Sequence, residues 1–262
     1  MAQVQEQARP RKRRGRRLLI TFLVLLALLA AALVVADRAA ASYAEGQIAD
    51  RVAKQVADQQ ATAEQPDVTI KGVPFLTQVS AGKYQEIQIL LKNYSGPAGN
   101  GKTVKMSQLD IRAKDVTAPL EALRSGTGDI IAGTVTGVGT IDYANLADLI
   151  GQPGIKVSEQ AGKLAFAAPV EALGQTFNVT GTANLEVRDG VVQVRFADVT
   201  AAGLPDIPLV RNLIDNYVKN LGLDLKVPAL PLGMQVQKVE PKPEGLVATA
   251  GASNVSLSSG GL

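Results

Sequence analysis

The sequence predicts an α+β protein, with one apolar helix long enough to span a membrane followed by a domain that is mainly antiparallel β. Three features point there. Residues 18–36 form a run of nineteen without a charge. From Val68 onward polarity alternates with a period of two, the signature of strands with one buried face. Finally, "QTFNVTGTANLEVRDGVVQVRF", 175–196, alternates, breaks at Asp189-Gly190 and alternates again. Asp-Gly between two alternating runs marks a hairpin, because a type I′ turn needs positive φ at both central residues.

At the N-terminus "RKRRGRR" runs directly into "LLITFLVLLALLAAALVVA". As a helix the apolar run is about 28 Å long, close to the ~30 Å hydrocarbon core of a bilayer. Residues 1–17 hold seven Arg or Lys against Glu6, a net +6, which leaves −3 on the rest of a chain whose total is +3. A basic flank of this kind stays cytoplasmic, so everything after Ala36 is expected outside. The basic excess is a tail and not the footprint of a nucleic-acid-binding domain. The run exceeds the roughly 7–15 apolar residues of a signal-peptide core, which favours a retained anchor, while "RAAAS" at 38–42 offers small residues for cleavage as the alternative. The expected organisation is a basic cytoplasmic arm, 1–17; a transmembrane signal anchor, 18–36; a helical stalk and linker, 37–66; and an extracytoplasmic β-rich domain, 67–262.

Ser42 with Glu45 makes a capping-box pattern, and Ile48, Val52 and Val56 follow at four-residue spacing, so a helix is expected over 42–59. Its narrow stripe suits a helix laid on one sheet face, or a stalk. "QQATAEQPD" then reads as a linker. Over 84–91, Ile87, Ile89 and Leu91 share a face. Over 103–113, Val104 and Met106 are out of phase with Leu109 and Ile111, which predicts a β-bulge near Ser107 and Gln108. Ile131, Val135 and Ile141 are expected on one face with Gly133, Gly137 and Gly139, leaving gaps along that strand. Short helices are expected over 118–123 and 143–149. On the long hairpin strand, Phe177, Val179, Gly181, Ala183, Leu185 and Val187 form the apolar face, continued by Val192, Val194 and Phe196. Gly181 and Ala183 leave a space for a packed helix or a ligand. An amphipathic helix over 208–221, stopped by Gly222, suits closing one side of the sheet. "VPALPLG", 227–233, is an apolar crossover, and strands near 234–239, 246–250 and 255–257 finish the chain. "RAKDVT" (112–117) and "RFADVT" (195–200) suggest either a duplicated strand-helix unit or chance similarity.

Composition removes most catalytic chemistry. The chain has no Cys, His or Trp. Ser-His-Asp and Cys-His arrangements are therefore impossible, the usual zinc and iron sites lose their ligands, and disulfides and a lipid-modified cysteine are excluded. Carboxylates remain, and Asp129, Asp142, Glu171 and Glu186 are the acids to test for a glycosidase pair. Each also has a structural explanation, Asp142 as a helix cap and Glu186 on the polar side of its strand. "GTVTGVG" lacks the spacing and lysine of a nucleotide loop. Sequons at Asn93, Asn178 and Asn254 carry little weight, because such triplets arise easily by chance. An extracytoplasmic sheet with long apolar faces and small residues in its strands suits acyl chains, each buried CH₂ of which contributes about 0.8 kcal/mol.

Five segments add to this reading. "ADRAAASYAEGQIADRV", "VTIKGVPFLTQVSAGKYQEIQI", "VTGVGTIDYANLADLIG", "VPALPLGMQVQKV" and "PEGLVATAGASNV" resemble, in that order, the LmeA-like phospholipid-binding proteins of actinobacterial envelopes. The resemblance covers roughly 36–257, with "PFLTQV" and "LPLG" its more specific pieces; the Arg-rich arm and "QKVEPKPEG" depart from it. It implies a tubular lipid-binding-type fold, a curved antiparallel sheet wrapped around helices, that binds phosphatidylinositol-type lipids. It also implies support for lipid-linked mannan assembly, with envelope glycosyltransferase machinery as protein partner, and neither a catalytic motif nor a cofactor. The side chains expected to line an acyl groove are Phe75, Leu76, Ile87, Ile89, Leu109, Ile111, Phe177, Val179, Ala183, Leu185, Val194 and Phe196. Val73, Pro74 and Phe75, with Leu230, Pro231 and Leu232, are expected to form an apolar lip on the bilayer. The rival expectation is a structural or interaction protein of the envelope whose sheet is filled by its own helices.

Overall fold

A computed structural model of the chain describes residues 14–99, 102–119, 121, 129–172, 175–201, 223–226 and 234–257. The helix expected over 208–221 and the crossover over 227–233 lie outside these residues, as do three of the six residues 118–123, of which Ala118 and Pro119 are not helical and Glu121 is.

Helix α1, Arg14–Asp58, is a single element of 45 residues, about 67 Å long at 1.5 Å per residue. Its two halves live in different surroundings. Every residue over 16–36 is exposed, and beyond Arg16 and Arg17 this part is apolar all round, with a mean hydropathy of 3.2 in its richest window. From Asp37 onward one stripe is buried, with Ala41, Ala49 and Val52 in the core, as an amphipathic helix on a sheet requires. Because the helix is continuous, Ser42 is not an N-cap, and the expected capping box does not form. Glu45 instead reaches across to the sheet, where its Oε1 accepts the Ile70 N–H at 2.8 Å. That N–H belongs to β1, Asp67–Lys71, an edge strand, so the stalk blocks part of an edge that would otherwise invite pairing.

The strands form two antiparallel sheets. The six-stranded sheet runs β1-β2-β3-β4-β11-β10, from β2 (Lys83–Gly99), β3 (Lys102–Thr117), β4 (Ile131–Ile141), β10 (Gln235–Lys242) and β11 (Gly245–Ser256). The five-stranded sheet runs β5-β6-β7-β8-β9, from β5 (Lys156–Gln160), β6 (Lys163–Ala172), β7 (Gln175–Arg188), β8 (Val191–Ala201) and β9 (Leu223–Lys226). Two short helices complete the described fold, α2 (Phe75–Ala81) before β2 and α3 (Tyr143–Ile150) after β4. The α+β class and the antiparallel order agree with expectation. Strands β5 and β6 are additional to those expected. Their signal, Leu164, Phe166 and Ala168 in alternation, is diluted by Ala165 and Ala167 between them.

The β7–β8 hairpin forms as its sequence predicts, with Arg188 paired to Val191 and φ of 50° at Asp189 and 74° at Gly190. Less expected is a device repeated in four strands. Asn93, Asp115, Asp198 and Asn254 all adopt left-handed φ of 50–52°. Each is followed by Val or Tyr and then Ser or Thr, and at each the buried face advances by three residues instead of two: Leu91 to Tyr94, Ala113 to Val116, Phe196 to Val199, Ala252 to Val255. Asn and Asp are the side chains best tolerated in this conformation after Gly. The likeness of "RAKDVT" to "RFADVT", and two of the three sequons, are therefore copies of this left-handed device, which at Asp198 also carries an extra residue, Asp198 and Val199 standing opposite Gly181. The bulge expected near Ser107 and Gln108 is corrected in the same terms. Lys92 stays paired with Gln108 and Tyr94 with Met106, so both strands reverse face opposite Asn93 without an extra residue.

Gly133 lies between Asp115 of β3 and Asn254 of β11, and β4 reverses there too. Ala132 is fully buried, whereas Ile131 is exposed and does not share the face of Val135, Gly137 and Gly139 as expected. The glycine gaps on β4 are also filled. A Cβ on Gly137 would meet the Met234 sulfur at 3.5 Å, and one on Gly139 would meet the Met106 sulfur at 2.7 Å.

Candidate functional site

Two apolar surfaces contain the expected groove residues other than Phe75 and Leu76. On the six-stranded sheet Ile89 pairs with Ile111 and Leu91 with Leu109. Ile89 is buried with Ala49 and Val52 of α1, Val68 and Leu91, and Ile87, Leu109 and Ile111 are half-buried against that cluster. These four positions are therefore together, beneath the stalk. On the five-stranded sheet Ala183 pairs with Phe196 and Leu185 with Val194, and Phe177, Val179, Leu185 and Phe196 are half-buried. The two surfaces meet through Met234, which packs on the core under α1 and also on Val192, Val236 and Ala250 at the junction of the sheets.

The space left by the small residues of β7 is occupied by protein. Ala183 is 1% exposed, in a cluster with Leu164 and Val194 against which Tyr143 and Leu146 of α3 pack. A Cβ on Gly181 would lie 2.8 Å from the Phe166 ring. Phe166, which sequence reasoning missed, also meets Phe196 edge-on at 5.3 Å and 78°, the geometry that aromatic quadrupoles favour. Two open concavities of about 500 and 610 Å³ are also present. One borders Gly181 and Phe166 themselves, with Lys156, Thr180 and Asp198 around them; the other is lined by Asp110, Arg112, Val138 and Glu244; none of the expected groove residues lines either.

The motif "PFLTQV" is explained residue by residue. Phe75 is 5% exposed and tilted against Tyr84 at 6.3 Å, so it is core and not lip. Gln78 is buried; its Nε2 donates to the Lys71 carbonyl at 3.2 Å and its Oε1 accepts the Gln85 N–H at 3.0 Å. The N-cap residue, Pro74, has no side chain able to accept from the first turn of α2. Asp37 of α1 serves instead: its Oδ1 accepts the Leu76 N–H at 2.8 Å, and its Oδ2 accepts from Arg38 at 2.7 Å. These bonds, the Leu76 one foremost, hold the Asp37 carboxyl down at about 2. Val73 (72%) and Leu76 (45%) are left exposed beside it. Pro74 is exposed as well, whereas Leu230, Pro231 and Leu232 lie outside the described residues.

Among the described side chains, the acids stand apart or are engaged locally. Asp129 and Asp142 flank β4, which at about 3.4 Å per residue keeps them some 40 Å apart. Asp142 begins α3 and accepts from the Asn145 side chain at 3.4 Å. Glu186 pairs on the surface with Arg188 at 2.9 Å. Glu171 contributes only its backbone, paired to Thr176, to what is described. Among the described residues no three acids group to hold a metal ion.

Residues 35–251 match the model of a family described as LmeA-like phospholipid-binding. No significant match was found among curated proteins or among solved structures.

Proposed function

The chain belongs to the LmeA-like phospholipid-binding family, and on that premise we propose that it is a membrane-anchored, extracytoplasmic protein that binds phosphatidylinositol-type phospholipid and supports assembly of cell-envelope glycolipid or lipomannan. A lipid-binding family is not an enzyme family, and the proposed role is non-catalytic. The observation that carries the reading is the pair of half-buried apolar faces joined at Met234. Leu109, Ile111, Phe177, Val179, Leu185 and Phe196 offer hydrocarbon contact without polar groups to desolvate. Met106 and Met234, seated over Gly139 and Gly137, are unbranched and can move aside to admit a chain.

The anchor reading is supported by an apolar helix over 16–36 with no residue covered by the domain; the basic arm argues for a cytoplasmic N-terminus. Cleavage within 38–42 would cut a helix that is already docked there and would remove the carboxylate that caps α2. Envelope glycosyltransferase machinery is the proposed protein partner.

The test is extraction of the full-length protein in mild detergent followed by native mass spectrometry. Stoichiometric phosphatidylinositol-type lipid is expected. The rival, an envelope structural protein, draws support from the self-filled space around Gly181 and Ala183. Absence of any stoichiometric lipid would decide for it.

A further inference from the structure

We propose that α2 and the adjoining end of the six-stranded sheet rest on the same bilayer that holds α1, with Asp37 as the positioning residue that locks them to the anchor. The inference rests on the anchor reading above and goes beyond it, from a tethered domain to one seated on its membrane. The uncharged run ends at Ala36, and Asp37 is the next residue. Its carboxylate holds the Leu76 N–H at 2.8 Å. The N-terminus of α2 is thus one side chain from the point where α1 leaves the hydrocarbon.

The second observation is where exposed apolar side chains collect. Outside the span, the large exposed hydrophobics among the described residues are Tyr43, Val73, Leu76, Ile131 and Ile150. Four of these five are at the Asp37 end. Val73 and Leu76 flank the start of α2. Tyr43 is about 9 Å along α1 from Asp37, at the depth where aromatic side chains favour the interface. Ile131 opens β4 and pairs with Thr117, which pairs with Lys83 just after α2. Ile150 is at the other end: Leu149 beside it accepts a hydrogen bond from Lys102, at the far end of β3 from Thr117. Charge does not explain the pattern. Arg38, Lys71 and Lys83 are exposed at the membrane end, but so are Asp115 and Asp129. The contact is therefore apolar, and the partner is the bilayer itself, not an anionic headgroup.

The chain has no Trp, so a single introduced one reports depth without background. Full-length Leu76→Trp, Leu29→Trp and Ile150→Trp are each placed in zwitterionic phosphatidylcholine vesicles with brominated acyl chains. Bromine is expected to quench Leu29→Trp in the span and, at least half as strongly, Leu76→Trp, and to leave Ile150→Trp bright. Adding Asp37→Ala is expected to bring Leu76→Trp to the Ile150→Trp level with far-UV circular dichroism unchanged. Asp37→Asn, whose amide oxygen can still accept the Leu76 N–H, is expected to retain quenching. If Leu29→Trp is quenched and Leu76→Trp is not, the seating is refuted and the anchor stands. If Leu29→Trp is not quenched, the anchor reading fails and takes this inference with it. Full quenching of Leu76→Trp in the Asp37→Ala protein removes Asp37 from the positioning role.

Discussion

Asp37 shows how much a single side chain can decide. Its folded pKa of about 2 lies below the ordinary carboxylate value of 3.8, so its contribution is present in full above the unfolded value and is lost as pH falls through the folded one. Hydrogen exchange at the Leu76 amide should accordingly stay slow from neutral pH down to about pH 4, relative to intrinsic rates, and lose protection as pH approaches 2. Glycines offer a sharper contrast. A Cβ on Gly245, at φ 148°, would strike the Ile141 carbonyl, whereas one on Gly139 would press on the movable Met106 thioether and touch Leu109 at an ordinary 3.6 Å. Chemical denaturation should find Gly245→Ala destabilised by about 1–3 kcal/mol and Gly139→Ala by under about 1 kcal/mol. Ala183 is packed with its neighbours at 1% exposure, so Ala183→Trp is expected to lower the melting temperature by overpacking, at about 1–3 kcal/mol.

At the level of elements, the left-handed Asp and Asn residues set which face each strand presents. The pattern could be seen in "RAKDVT" and "RFADVT", but its meaning could not. A side-chain string shows that the phase changes, not whether a positive φ changes it alone, as at Asp115, or together with an extra residue, as at Asp198. Because the penalty for left-handed φ is about 1–2 kcal/mol for an ordinary L-residue and absent for Gly, Asp115→Gly should leave stability nearly unchanged while Asp115→Val lowers it by that amount. A thermal melt distinguishes the two. The long β7 face carries the functional counterpart. Leu185→Asp, half-buried opposite Val194, is expected to strip co-purifying lipid, measured by lipid phosphorus per protein. Undiminished lipid would move the binding face off this sheet.

For the whole molecule, the decisive feature is the continuity of α1 from its uncovered apolar half into the core. A helix that is buried on one stripe from Asp37 onward transmits the orientation of its apolar half to the sheet; a flexible linker would not. Intact-mass measurement on protein from the membrane fraction should return the uncleaved chain. A mature chain beginning near Ser42 would instead make the domain a soluble carrier lacking the Asp37 cap.

The long apolar helix, the antiparallel β domain, the β7–β8 hairpin, α3 and the exclusion of His- and Cys-based chemistry were legible in the amino-acid sequence, because each depends on local periodicity, turn chemistry or composition. The expected groove residues were legible as apolar positions, but not as to what covers them. Burial depends on which distant segment arrives above a face, and that brought Ala49 and Val52 over Ile89, α3 beside the Ala183 cluster and Phe166 over Gly181. Likewise Glu45 and Asp37 read locally as a capping residue and a charge at the end of an apolar run. Only tertiary contact made one the guard of an edge strand and the other the cap of a helix thirty-nine residues away, because a hydrogen bond between segments is set by their placement in space, which a one-dimensional pattern does not encode.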